Sequence, residues 1–453
     1  FTRLFKSDEY NHYLYSKIIL FLKNIPYQIL PSGHDQIGED ISIPSPTHQK
    51  PSSGKALMEY LLKFYNKLPF PLPKNYVFVS SGLGYRREML LQCFLGQIPV
   101  VKFFNFDIAD TELNSNMRKE ISFNLKNNDF ESCLEYLLPQ QIPFTYMEGY
   151  QELRLCALKS YQVQKPKLIF SAVGFNVNDD FKCWAAEKSE EGTKLVVGQH
   201  GGSYGMSRWH AMEEHEVRIS DTYLSWGWTE KANPKVRPVP ANKLLAKVDA
   251  LTPQKSGKIL WVSIGFPRYS YFMYSSPVAS QILDYLSIQQ RFLKTVCPTV
   301  HDLLLLRLDP NYHEWDFVER WRDLDPLLNV YKGSCPLDTQ LNESRLCIGT
   351  YNGTTYLETF AANFPTIIFW DSRHYELRPS ASPYFEQLRE AGILHHDPES
   401  AAVLVNEIFE DPLLWWNQAK VQDAKNEFCK RFAFTSQSWL TEWRNNLAGS
   451  GSN

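Results

Sequence analysis

Two stretches decide how this chain is built: Asn233-Pro234-Lys235-Val236-Arg237-Pro238-Val239-Pro240, then Pro253-Gln254-Lys255-Ser256-Gly257-Lys258-Ile259-Leu260-Trp261-Val262-Ser263. Proline fixes φ and lacks an N–H, so repeated prolines stop helices and central strands alike. Lysine and arginine are frequent from 229 to 258, and the stretch reads as an interdomain linker with a short strand inside. The apolar run Ile259–Ser263 that follows starts a second series of buried strands. Leu303-Leu304-Leu305-Leu306-Arg307, Arg345-Leu346-Cys347-Ile348 and Thr366-Ile367-Ile368-Phe369 continue it, separated by helical patterns. Upstream, Tyr76–Val79, Val100–Phe104, Leu168–Phe170 and Leu195–Val197 form a first series of the same kind. Short apolar runs alternating with helices are the α/β signature.

Size agrees with this division, because 453 residues exceed what one hydrophobic core ordinarily serves. The net charge of −3 gives no field for a nucleic-acid polyanion. The twelve tryptophans fit a sugar-stacking cleft, though plain core packing explains them at least as well. None of the eight cysteines forms a CxxC pair, which points to reduced thiols and away from a disulfide frame or zinc site. The N-terminal run Phe1–Lys6 lacks a signal peptide's apolar core, and no stretch approaches the roughly 20 apolar residues of a membrane span. The expectation is a cytoplasmic chain, with room for peripheral docking on an inner-membrane assembly. The sequons at Asn342 and Asn352 then have no reason to be glycosylated.

Two α/β halves joined in this way fit a GT-B-like fold, with two Rossmann-like domains facing a central cleft. The expected boundaries are 1–240 for the acceptor side and 255–430 for the nucleotide side. A C-terminal helix at 431–447 braces back onto the first domain, and 448–453 form a flexible tail.

In the second half, Cys347-Ile348-Gly349-Thr350-Tyr351-Asn352-Gly353-Thr354-Thr355-Tyr356-Leu357-Glu358 runs from a buried strand through a turn into a helix. Asn352, Gly353, Thr354 and Thr355 can offer hydroxyls and backbone N–H groups to a phosphate, and Glu358 can accept from ribose hydroxyls. An ordinary N-capped helix explains the threonine pair but not both Gly349 and Gly353. Ser263 and Gly265, in the turn after the first strand of this half, permit a close backbone approach. Arg307 ends a four-leucine run and needs an anion or water, with Asp309 as its structural alternative.

In the first half, Gly198-Gln199-His200-Gly201-Gly202-Ser203-Tyr204-Gly205 delivers Gln199, His200 and Gly201 into a glycine-rich turn at a strand's carboxyl end. His215 and Glu216 lack the partners of a metal set, so no metal is expected. Ser81, Gly82 and Arg86 follow an early strand and suit an acceptor, though a structural turn accounts for them equally. Glu148, flanked by Met147 and Gly149, and Asp221 are candidate carboxylates for glycosyl chemistry. From spacing alone, Asp221 reads as a cap.

Several blocks resemble a bacterial family of surface-carbohydrate transferases: Tyr146–Tyr150, Phe181–Lys188, Gly192–Gly205, Ile219–Asp221 with Trp226–Trp228, and Gly353–Thr359. Within that set the chain resembles the retaining β-Kdo glycosyltransferases, glycosyltransferase family 99. The resemblance implies a CMP-Kdo donor, a lipid-linked acceptor of the lipopolysaccharide O-antigen, and no cofactor. It also implies a double displacement in which Asp221 is the nucleophile and Glu148 the acid/base. The phosphate of CMP would then meet His200, Arg307, Thr354 and Thr355. Competing expectations are an inverting transferase with a sialic-acid-like CMP-sugar donor, a nucleotide-sugar epimerase, and a non-catalytic carbohydrate-binding module.

Overall fold

The computed structural model describes residues 8–22, 75–99, 113–125, 128–160, 165–269, 273–310, 315–333 and 335–450. The strand expected at Val100–Phe104 lies outside them. The chain divides into two compact units. One comprises Phe1–Leu72, Val100–Gln164 and Val177–Glu187; the other comprises Pro73–Pro99, Lys165–Asn176 and Lys188–Asn453.

The smaller unit is helical among its described residues, with helices Asp8–Leu22, Ser115–Lys119, Asp129–Gln141 and Tyr150–Ser160. Asn128 caps the third of these by accepting the Glu131 N–H at 2.9 Å, which satisfies one of its orphan donors. The Tyr10 hydroxyl donates to Gln141 at 2.8 Å, and Phe21 stacks on Tyr136 at 5.3 Å.

The larger unit holds two parallel sheets. The first runs β1 (Tyr76–Val79), β2 (Leu168–Ser171), β3 (Lys194–Gly198), β4 (Thr222–Ser225) and β5 (Val236–Pro238), in sequence order. The second contains β6 (Lys258–Val262), β7 (Leu304–Arg307), β8 (Val330–Tyr331), β9 (Ser344–Gly349), β10 (Thr366–Phe369) and β11 (Leu394–His395). Its spatial order is β11-β10-β9-β6-β7-β8. Parallel strands covered on both faces are mostly apolar and lack the alternation of a half-exposed strand, and β2, β4 and β10 are buried at every residue. The short strand inside the proline-rich stretch is β5, which pairs with β4 and ends at Pro238.

The last helix, Trp439–Ser450, returns to the first sheet and extends through Ala448 and Gly449, where composition suggests a tail. Trp443 meets Phe170 edge-on at 5.2 Å, donates Nε1–H to the Pro240 carbonyl at 2.9 Å, and shares a core with Leu168, Val196 and Leu447. Two parallel α/β sheets with the final helix laid back on the first make the fold GT-B-like. Trp184, Trp226, Trp228, Trp261, Trp416 and Trp443 are fully buried and Trp321, Trp370 and Trp415 nearly so, so most of the tryptophan content serves packing. All eight cysteines are free thiols, and no helix among the described residues is long and apolar enough to cross a membrane.

Candidate functional site

Strand order in the second sheet reverses between β9 and β6, and the crevice outside the carboxyl ends at such a point is where open α/β sheets take ligands. Hydroxyls tie that edge together. Thr350, just after β9, donates to the Val262 carbonyl at 2.8 Å and meets the Tyr285 hydroxyl at 2.6 Å. Tyr285 reaches Ser263 at 3.2 Å and accepts the Ile264 N–H at 3.1 Å. Ser263 is therefore a buried brace between β6 and β9.

The two glycine-rich turns face each other here. The Gly202 N–H donates to the Thr354 hydroxyl at 2.9 Å. A methyl group on Gly202 would lie 2.3 Å from the Gly353 carbonyl carbon and oxygen, so only glycine allows this approach. Gly201 lies alongside, its would-be Cβ 3.6 Å from the Thr354 hydroxyl. Asn352 is 7% exposed; its Oδ1 accepts from Tyr356 at 2.9 Å, while its buried Nδ2 has no hydrogen-bond partner among the described residues. Such a donor calls for a ligand or water. Thr355 bonds the Tyr351 hydroxyl at 2.9 Å.

His200 stands beside this contact with a buried acid behind it. Its Nδ1 is 3.5 Å from Glu216 Oε1, and the Tyr204 hydroxyl lies 3.3 Å from the same nitrogen. The Glu216 carboxyl, 2% exposed, also accepts from Tyr204 at 3.1 Å, Asn176 at 3.5 Å and Tyr223 at 3.5 Å. Burial pushes Glu216 up to about 8 and His200 down to about 4, the latter helped by nearby Lys243. At pH 7 the two are thus a carboxylic acid facing a neutral imidazole, not an ion pair. Gln199 is turned inward: its Oε1 accepts from Trp226 N–H and Trp228 Nε1–H, both at 2.9 Å, and its Nε2 donates to the Gly201 carbonyl at 2.8 Å. It shapes the turn and does not face a ligand.

Cross-links from the second sheet hold this turn in place. Arg378 donates to Glu213 at 2.7 Å and to the Ser207 carbonyl at 3.1 Å, and its backbone N–H meets the Met206 carbonyl at 2.9 Å. Ser207 bridges Leu377 in antiparallel fashion, and Glu213 also accepts the Gly205 N–H at 2.5 Å. Glu358 is buried and clamped by Lys243 at 3.1 Å and Lys247 at 3.4 Å, so its carboxylate is already occupied by cations where ribose hydroxyls were expected. Lys243, about half exposed, is a cation close to both Glu358 and His200.

The remaining expected residues are dispersed. Arg307 bonds Gln340 and lies over the Tyr331 ring, rather than pairing with Asp309. Gly265 gives its close approach to Asp309, whose Cβ and Cγ would be 2.4 Å from an added Cβ. Ser81 is buried on Glu88 at 2.5 Å, Gly82 (φ +74°) packs on Asn242, and Arg86 is exposed. Asp221 precedes β4 at the amino end of the first sheet. Its Oδ2 accepts the Leu195 N–H at 2.8 Å, Lys194 lies 4.0 Å away, and the side chain is about half exposed. Five residues of extended chain, roughly 16 Å, separate Leu195 from His200. Asp221 therefore caps β3 and is not brought to the carboxyl-end turns. Glu148, in the smaller unit, pairs with Arg118 through two bonds of 2.7 and 2.8 Å. The Arg118 guanidinium holds its carboxyl down at about 2.

Sequence patterning does not single out Glu213, Lys243 or Arg378, and Glu216 enters it only beside His215 as an incomplete metal set. Glu213 and Glu216 are three apart on the helix Ala211–Ile219 and share its buried face, while His215 faces solvent. Among the described residues no group of three or more His, Cys, Asp or Glu gathers as a metal site.

A family model described as LIC12162 family transferase matches residues 1–447. A comparison with curated proteins finds no match. Among solved structures, a trehalose-6-phosphate synthase from Burkholderia multivorans aligns at 10% identity over 67% of this chain and 75% of its own, with a TM-score of 0.37. WaaG, a glycosyltransferase involved in lipopolysaccharide biosynthesis, aligns at 12% identity over 83% and 98%, with a TM-score of 0.34. MurG from Acinetobacter baumannii aligns at 12% identity over 83% and 100%, with a TM-score of 0.39.

Proposed function

The chain belongs to the LIC12162 family of transferases, and on that premise we propose that it is a GT-B glycosyltransferase moving Kdo from CMP-Kdo to a sugar acceptor of a bacterial surface polysaccharide. The observation that carries this reading is the meeting of the Gly201–Gly202 turn with the Asn352–Thr354 turn at the carboxyl ends of β3 and β9. The Thr354 and Thr355 hydroxyls and the Asn352 Nδ2, unpartnered among the described residues, are neutral groups of the kind a nucleotide's phosphate and sugar need, and Lys243 supplies charge nearby. The Kdo donor rests on the resemblance of the Gly192–Gly205 and Gly353–Thr359 blocks. A lipid-linked glycan is the proposed acceptor.

Two routes fit this donor. Double displacement would use Asp221 as nucleophile and Glu148 as acid/base, giving retained configuration. It requires the anomeric carbon to reach the amino end of the first sheet. Single displacement instead uses His200: the acceptor oxygen bonds to the anomeric carbon, the bond to the CMP phosphate breaks, and the hydroxyl proton passes to His200. The position of His200, next to Gly201 in the turn that meets Thr354, supports this second route, which inverts configuration. The carbohydrate-binding module loses its main support, since most tryptophans lie in the core and Trp209 is the exposed one among the described residues.

Thermal unfolding with CMP, UMP and ADP tests the nucleotide half. Selective stabilisation by CMP is expected, and equal response to all three, or to none, would overturn the donor. NMR of the product's anomeric configuration then separates the routes.

A further inference from the structure

Two lysines and two carboxylates gather beside the contact between the glycine-rich turns, and the two lysines differ in their freedom to move. Glu358 is buried; Lys243 lies 3.1 Å from its Oε1 and Lys247 3.4 Å from its Oε2. Lys247 also pairs with Asp338 and is mostly buried, whereas the Lys243 side chain is 47% exposed. The Lys243 main chain is held in place. Its N–H donates to Asn242 Oδ1 at 2.9 Å, and Asn242 also accepts from Trp226 Nε1 at 2.9 Å and donates to the Ser81 carbonyl at 2.6 Å. A fixed root under a half-exposed ammonium lets the head group change partner while the backbone stays. The Glu358 N–H donates to the Thr354 carbonyl at 3.1 Å, so Glu358 lies about 6 Å along the helix axis from the threonine that accepts the Gly202 N–H. Lys243 is also near enough to His200 to depress that imidazole's affinity for a proton. These two relations put the ammonium beside both turns.

Charge accounting separates Lys243 from its neighbours. Arg378 is committed to Glu213, and Lys247 to Asp338 and Glu358. When Lys243 leaves, Glu358 keeps Lys247, so no buried carboxylate is stranded without a cation. An ion pair with one solvated partner is weak, and a phosphoryl group offers the ammonium a stronger charge-assisted hydrogen bond. We propose that Lys243 is an exchangeable phosphate anchor, which leaves Glu358 and transfers to a phosphoryl oxygen arriving at the Gly202–Thr354 contact. Its assignment to the donor's phosphate rests on the glycosyltransferase reading. Exchange makes Glu358 a competitor of the incoming anion. Removing the Glu358 charge therefore strengthens phosphate binding, the reverse of what a carboxylate that only shapes the site would give.

The test is ³¹P line broadening of inorganic phosphate titrated with the full chain at low ionic strength, with Lys243→Ala, Lys243→Arg and Glu358→Gln beside wild type. The expected dissociation constant rises at least about fivefold in Lys243→Ala, stays within about threefold in Lys243→Arg, and falls at least about threefold in Glu358→Gln. Lys243→Ala changes a half-exposed side chain and leaves Glu358 paired with Lys247, so the lysine variants decide the matter even where Glu358→Gln does not fold. No broadening with wild type, an unchanged constant in Lys243→Ala, or unchanged or weaker binding in folded Glu358→Gln would each overturn the anchor. Thermal unfolding with CMP and cytidine tests the nucleotide reading separately. Where both readings hold, Lys243→Ala lowers stabilisation by CMP and leaves that by cytidine unchanged. If phosphate behaves as expected while neither CMP nor cytidine stabilises the protein, the anchor stands and the nucleotide reading falls. If CMP stabilises wild type and Lys243→Ala equally and phosphate binding is the same in both, the nucleotide reading stands and the anchor falls.

Discussion

Asp221 and Glu216 are five residues apart in sequence and lie toward opposite ends of the first sheet. Asp221 is about half exposed and caps β3 through Leu195; Glu216 is 2% exposed and ringed by His200, Tyr204, Tyr223 and Asn176. One carboxylate is about half exposed and organises a strand start. The other has been moved by burial into the range where an acid works at neutral pH. The contrast shows that a helix crossing from the carboxyl to the amino end of a parallel sheet can place two nearby acids in unrelated environments. The single-displacement proposal puts its chemistry at the carboxyl end.

The largest effect is expected at His200. If it receives the acceptor proton, His200→Ala should cut CMP-Kdo turnover by roughly 10²–10⁴-fold while CMP still stabilises the protein. Turnover within twofold of wild type would move the chemistry away from this end. Next comes Gly202→Val, whose side chain collides with the Gly353 backbone. Forcing the turns apart by about an ångström should lower turnover roughly 100-fold and weaken CMP stabilisation as well, which distinguishes it from His200→Ala.

A smaller effect sharpens the electrostatic half of the contrast. Glu216 is raised from its ordinary value of 4.5 to about 8, so the folded state holds its proton more tightly than the unfolded chain. Its stabilising contribution is complete below pH 4.5 and is lost as pH rises through 8. His200, lowered to about 4, runs the other way and has finished titrating by about pH 7. Glu216→Gln should therefore flatten the decline of Tm between pH 7 and 9, leaving the variant about 3 °C more stable than wild type at pH 9, relative to pH 6. Parallel curves for the two proteins would mean that Glu216 is ionised throughout that range.

The fold was legible because parallel strands buried on both faces are written as mostly apolar runs without alternation. Leu168–Phe170, Leu195–Val197, Ile259–Val262 and Thr366–Phe369 are such runs, whereas Val330–Tyr331 and Leu394–His395 are too short to register. The two glycine-rich turns were legible for a related reason: a backbone that touches another backbone cannot carry a Cβ. Their contact with each other was not, because it joins residues 152 apart in sequence. Glu213 and Glu216 were hidden in Glu213-Glu214-His215-Glu216, which looks solvated until the i, i+3 spacing is given a buried face. Asp221 reads from spacing as a cap, and it sits as one beside the start of β3, because a residue that opens a strand lies at the amino end of a parallel sheet.

Intact-mass measurement of the protein after incubation with CMP-Kdo is the sharpest test of chemistry at the carboxyl end, with Asp221→Asn alongside wild type. A surface cap should cost about twofold or less in turnover, the smallest effect of the set. Carboxyl-end chemistry predicts CMP release by both proteins and no Kdo-sized adduct on either. An adduct on wild type that disappears in Asp221→Asn, together with loss of turnover, would contradict it and return the nucleophile to the amino end of the sheet.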